Sequence, residues 1–470
     1  MGDHIEEVWP EEVLSNAWHG EAAVGKVADS AAKWGAKRDT EFPSRPLAAE
    51  EIDYTNWRDG RVGWGVVLPF RDGWSRDDLA IGADAPEPIR QLIAARDNAP
   101  IFRYVPSLGS GVLRRILPDG KESDLSFDGA RGIGPIAVPW YLLIVGSPKE
   151  IPWGVQYQLQ TNAFVGRLDL DATGLENYVS ALLSDWGGSD RNVATPVVWT
   201  VDKGHPDITR LMRKTITDRI VDCFRVDKEF DISGSGYLTD GSASVKALAD
   251  ALGERRPAFV VTSSHGSTSP LENAAEMAKQ LGGLVDQQGA VLANPSAYAL
   301  APPAGSIWYS HACCSAGCND RSAFDGIFEA GSTLDVVLKD IANIGALTAP
   351  LPRALLGAKR PIGAFVGHVE PTFDRTLRWP STGQVTAHDI VGALYNKLHL
   401  AKRPPIGYAM KTYYQGVAGL LLQYSQDLDA LANLGKKGLS RAFDARFIAL
   451  DRLAMVLLGD PTVRLPLPSN

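Results

Sequence analysis

From Tyr54 onward the chain alternates short apolar runs with amphipathic stretches. Runs of four to eight apolar residues closed by turn residues read as buried strands, and longer stretches with apolar positions three and four apart read as helices. Strands are predicted at 63–68, at the apolar run 137–146 and at 164–167. They are also predicted at 196–201, 257–263, 307–312 and 361–367. Helices are predicted at 87–96, 175–186, 207–220, 244–252 and 271–281, and then in long stretches at 387–399, 409–433 and 442–457. The run AVPWYLLIVG at 137–146 has no polar face, the pattern of a strand covered on both sides. Strands alternating with helices predict an α/β fold with a mostly parallel sheet flanked by helices. The first fifty residues are polar and broken by Pro43 and Pro46, which predicts a peripheral arm over 1–53. The polar segment Gly187-Gly188-Ser189-Asp190-Arg191-Asn192 marks a boundary. The expected division is an α/β subdomain over 54–190 followed by a second α/β unit over 191–470.

Composition narrows the function classes. A net charge of −8 argues against a nucleic-acid surface. No apolar stretch reaches the length of a membrane span, and the opening MGDHIEEVWPEEV has no apolar secretory core. Three of the four cysteines, Cys313, Cys314 and Cys318, lie within six positions, which is no disulfide framework; a reducing cytoplasm is the expected location. Zinc would need four ligands, usually as two knuckles, and outside His311 and this cluster only Cys223 is left among the cysteines. No metal or cofactor is expected.

The chemistry is expected where strands end, because open α/β sheets bind ligands at the carboxyl ends of their strands. The strand at 257–263 runs into Ser264-His265-Gly266, and the strand at 307–312 ends at Cys313. A thiol with an imidazole is the pair required for nucleophilic catalysis by cysteine: the ring takes the thiol proton, and the thiolate attacks a carbonyl carbon. Gly266 lets the backbone approach the scissile carbonyl. The N–H groups of Gly266 and Cys313 can stabilise the oxyanion, a donor being worth roughly 3–4 kcal/mol of barrier. Alternation along an extended strand sends Cys314 to the opposite face from Cys313. His205, His311 and His368 read as local hydrogen-bonding residues, and Cys223 and Cys318 as packing thiols.

The apolar strand with Ser264-His265-Gly266, followed by a strand ending in Ala312-Cys313, resembles the caspase-like cysteine peptidases, a clan with caspases, metacaspases, clostripain and gingipains. The His precedes the Cys by about 50 residues, as in caspases. Tyr141–Gly146 with Ile151-Pro152, Phe164–Arg167, Ala364–Val369 and Leu457–Leu465 are similar to segments of the gingipain-like bacterial branch, so the resemblance covers about residues 135–466. His-Ala-Cys-Cys-Ser-Ala-Gly departs from the caspase pattern and is closer to gingipain-like and CHAT-type turns. The resemblance implies a caspase-hemoglobinase fold preceded by a second α/β subdomain. It implies a cysteine endopeptidase with Cys313 as nucleophile and His265 as general base. It also implies a basic P1 residue read by a carboxylate, Asp202 or Asp207, although a carboxylate at such a position ordinarily caps a helix or partners its dipole. It further implies a latent enzyme with a protein substrate and an activating partner, of the kind found in bacterial defence or cell-death circuits. Two other readings remain open on the residues: a catalytically silent scaffold of the same fold, and a thiol-dependent transpeptidase or amidase.

Overall fold

The computed structural model describes residues 12–31, 52–379, 382–429 and 436–467. In chain order the first strands are β1 (Glu12–Trp18), β2 (Ala22–Lys26), β3 (Trp64–Pro69), β4 (Ile101–Tyr104), β5 (Val112–Ile116), β6 (Glu122–Ser126), β7 (Tyr141–Val145) and β8 (Phe164–Leu168). Then come β9 (Val197–Thr200), β10 (Tyr237–Thr239), β11 (Phe259–Ser263), β12 (His265–Ser267), β13 (Leu284–Val285), β14 (Val291–Leu292) and β15 (Ile307–His311). The last are β16 (Gly317–Cys318), β17 (Leu347–Thr348), β18 (Ala364–His368) and β19 (Met455–Gly459). Twelve of them form one sheet in the order β10-β9-β11-β15-β18-β19-β8-β7-β3-β4-β5-β6. Helices such as Glu87–Ala95, Ala172–Leu183 and Val245–Arg255 pack apolar residues against it.

The central strands are buried throughout, which is why they read as continuous apolar runs. The sheet is mixed, not uniformly parallel: β19 runs antiparallel to β18, and β5 antiparallel to both β4 and β6. Residues 455–457 were expected to close a helix, but they open β19, while the helix spans Lys436–Leu453. Short apolar runs carry no periodicity that separates strand from helix, and here the pairing partners decide. β19 lies between β18 and β8 and joins the two expected α/β units into one sheet. Gly166 permits that junction, since a Cβ there would overlap the Gly459 carbonyl. The last residues of the helix expected at 409–433 lie outside the described residues; its described part is Lys411–Asp429.

A second sheet, in the order β14-β13-β12-β1-β2, stands beside the carboxyl ends of the main sheet's strands. Two of its strands, β1 and the edge strand β2, come from the segment expected to be a peripheral arm. Residues 12–26 are not peripheral: Val13, Ser15, Asn16, Ala17 and Ala23 are buried. The rest of that segment, 1–11 and 32–51 with Pro43 and Pro46, lies outside the described residues.

Candidate active site

Four parallel strands set the site. Val261 pairs with Val198, and Ser263 with Thr200 and His311, so β9, β11 and β15 end level with one another. Tyr309 pairs with Val366, which aligns β18 with them. Whatever follows each strand therefore emerges at the same edge: Asp202 and Asp207 after β9, His265 after β11, Cys313 after β15 and Thr372 after β18. At Ser264 the chain leaves the main sheet and enters β12 of the second sheet, which turns His265 inward. Gly266 is required for the approach, because a Cβ there would overlap the backbone of Cys313.

His265 is fully buried. Its Nδ1 donates to the backbone carbonyl of Asn16 at 2.7 Å, and its Nε2 lies 2.9 Å from Asp207 Oδ2. The Trp18 ring lies on the imidazole with centroids 5.0 Å apart. Asp207 also caps the helix Ile208–Met212, accepting from the Thr209 N–H. Burial works against its carboxylate, but the hydrogen bond and charge of His265 and the two Thr209 donors outweigh it, and the pKa lies below the ordinary value. One side chain thus serves as a helix cap and as the anchor of the imidazole. From the sequence Asp207 is expected as a helix cap or, by the resemblance, in a substrate pocket; the cap is observed, and the contact with His265 was not expected.

Cys313 is fully buried as well. Its Sγ lies 3.5 Å from Ser15 Oγ, and it accepts the Thr372 N–H at 3.2 Å. Burial pushes this thiol far up. Among the described residues, the hydrogen bonds of Cys313 and His265 go to these partners and not to each other. Cys314 follows in the left-handed region (φ 55°), with its N–H on the Glu370 carbonyl, and is buried in the same apolar cluster. Cys318 donates to the Gly345 carbonyl at 3.2 Å, and Cys223 is half-buried on a helix. All four cysteines are free thiols, and among the described residues no three His, Cys, Asp or Glu side chains converge as metal ligands.

Asp202 is held away from this pair. Its Oδ1 accepts the Gly204 N–H, and its Oδ2 lies 3.3 Å from Arg213 Nη1. Asp202 and Asp207 are each already engaged, one by a cation and one by the imidazole. His311 and His368 form a buried edge-to-face pair with centroids 4.8 Å apart, and His311 Nδ1 bonds the Tyr309 hydroxyl.

Sequence reasoning missed four contributors: Ser15, Asn16, Thr372 and Asp451. Asp451 is fully buried and accepts the Phe373 N–H and the Thr376 hydroxyl, which fixes the loop that presents Thr372 to the thiol. Burial raises its carboxyl to about 7. The signal available for Ser15 and Asn16 was the strand-like run Val-Leu-Ser-Asn-Ala-Trp at 13–18. Nothing in the sequence marks Thr372 or Asp451.

The chain matches no protein-family model, and no curated protein matches it in sequence. Solved structures similar to it include the Arg-specific cysteine proteinase gingipain R, at 13% identity over 87% of this chain and 79% of that one, with a TM-score of 0.36. The complex of the pro- and mature domains of Porphyromonas gingivalis RgpB matches at 12% identity over 86% and 80%, with a TM-score of 0.35. A structure described only as a protease matches at 11% identity over 87% and 79%, with a TM-score of 0.36. No helix among the described residues is long and apolar enough to cross a membrane.

Proposed function

We propose that the chain is a cysteine endopeptidase that uses Cys313 as nucleophile and His265 as general base and acid. One observation carries this reading: level strand ends bring a thiol and an imidazole to the same edge, with Asp207 fixing the ring from behind. In the reaction the thiol proton passes to His265, and the Cys313 sulfur bonds to the scissile carbonyl carbon. The oxyanion is held by the N–H groups of Gly266 and Cys313, whose backbones adjoin. The ring then protonates the leaving amine, and water releases the acyl group from sulfur. Asp207 orients the imidazole and stabilises it when it is charged.

For the P1 residue, a basic preference requires Asp202 to exchange Arg213 for the substrate's cation, since Asp207 is bound to His265. Under that preference Asp202→Ala abolishes cleavage after Arg and leaves the fold intact; unchanged Arg preference removes Asp202 from the S1 pocket. The silent-scaffold reading has its own observation, the full burial of both Cys313 and His265. The test is to mix wild type and Cys313→Ala separately with candidate protein substrates and activating partners and to read the products by mass spectrometry. Fragments that depend on Cys313 support the peptidase. Ligated products point to a transpeptidase, and no Cys313-dependent product under any condition leaves the scaffold.

A further inference from the structure

We infer that β1 is a resident occupant of an extended-peptide groove, and that the groove's other ligand is a substrate strand taking the same place; the inference rests on the peptidase reading of Cys313 and His265. The groove is built by two separate segments. On one side is β12, where Gly266 and Ser267 pair in parallel with Ala17 and Trp18, and the Thr268 N–H donates to the Trp18 carbonyl. On the other is the segment after β18: Phe373 pairs with Ser15, and the Thr372 carbonyl accepts the Asn16 N–H at 3.2 Å. An extended chain between these edges passes directly over the thiol and the imidazole. Main-chain pairing of this kind supplies affinity that does not depend on sequence, while side-chain pockets supply selectivity.

The occupant's contacts are those a substrate would make with the reacting groups. Ser15 Oγ lies against Cys313 Sγ, and the Asn16 carbonyl takes the Nδ1 hydrogen of His265. That hydrogen bond occupies the ring nitrogen that does not face Asp207, so the ring is not free to take the thiol proton while β1 is in place. The Asn16 side chain enters a pocket where its Nδ2 donates to the Ser264 carbonyl at 3.1 Å and points to Met212 Sδ at 3.7 Å. Its Oδ1 is buried without a partner among the described residues. Leaving that acceptor unbonded costs stability, so a ligand that satisfies the pocket has an advantage there over Asn16. Trp18 closes the groove by covering the imidazole and stands under the Lys203 ammonium, 5.2 Å from the ring centroid.

The test reads Cys313 reactivity in the full-length chain, independently of peptide cleavage. In wild type, iodoacetamide is expected to modify Cys313 slowly. The double variant Asn16→Ala/Trp18→Ala, with its fold checked by circular dichroism, is expected to react about tenfold faster or more because the open-groove population rises. A synthetic peptide with the sequence of residues 12–20 should slow that reaction again. Hydrogen exchange adds a second readout: the Thr268 amide should lose protection in the double variant and regain it with the peptide. Fast alkylation of Cys313 in wild type, or no acceleration in a folded double variant, overturns the inference; so does failure of the peptide to protect Cys313. If the double variant reacts at Cys313 and is protected by the peptide, yet cleaves no protein, the groove stands and the peptidase reading falls. A variant that does not fold is replaced by Ser15→Lys, which puts a charge against the thiol and carries the same expectations.

Discussion

At the scale of single residues the site turns on Asp207, which caps a helix and holds His265 at once. The substitution Asp207→Asn keeps an N-cap side chain and removes the charge behind the ring. Under the proposed peptidase function, the expected outcome is a loss of about 10²–10⁴ in kcat/KM, with the thermal midpoint little changed. A large fall in the midpoint with activity intact would mean that Asp207 is only a cap. The adjacent thiols separate in the same way. Cys313→Ala should abolish covalent labelling, whereas Cys314→Ala, altering a thiol buried in the apolar cluster, should leave labelling at Cys313 in place. Mass spectrometry of the alkylated protein reads both. His265 and Cys313 were each legible as residues just past an apolar run. Asp207 was legible only as a carboxylate near a helix start, because its contact with His265 depends on the register of β9 against β11.

At the scale of elements, the break between β11 and β12 decides the geometry. β11 belongs to the main sheet, β12 to the second, and the step at Ser264 places Gly266 against the Cys313 backbone. Gly266→Ala forces a Cβ into the Cys313 carbonyl, so the two segments must move apart. The expected cost is about 1–3 kcal/mol of stability, with loss of Cys313 labelling even when β1 is destabilised. Denaturant melts and alkylation rates check the two halves; wild-type behaviour in both would show that the close approach is dispensable. The sequence announced the apolar strands well, since each is buried on both faces. It did not announce β2 or β12, which are short or carry polar residues and are strands because of what they pair with, and it marked β1 only by the strand-like run at 13–18.

At the scale of the whole molecule, buried ionisable groups set the response to acid. Burial lowers His311 to about 3 and lowers His368 well below 6.5, with His311 adding to the shift on His368. Burial and Arg403 lower His399 to about 4. Unfolding returns each ring to its ordinary value of 6.5. Between about 4 and 6.5 the unfolded chain therefore binds protons that the folded chain does not, and stability falls as pH falls. Asp451 acts in the opposite sense: raised to about 7, it is protonated in the fold and ionised in the unfolded chain above 3.8, so its contribution is lost as pH rises. Burial raises the Glu370 carboxyl as well, in the same sense as Asp451. Three histidines outweigh these two carboxyls, and the thermal midpoint should drop from pH 7 to pH 5. Replacing His368 with Phe should flatten that dependence. A midpoint that rises on acidification would show that the histidine pair is not held neutral.

The sequence by itself determined the alternation of strand and helix, the order of His265 before Cys313, and the placing of both just past apolar strands. These follow from local rules: a strand buried on both faces must be apolar, and a turn after it must be small or polar. Only the tertiary structure decided that Asp207 faces the ring, that the backbone of Thr372 meets the thiol, and that residues 15–18 lie against both the thiol and the imidazole. Each of those contacts joins residues far apart in the chain through strand register and backbone pairing. Register and pairing depend on main-chain groups that every residue carries alike, and so leave little trace in the order of side chains.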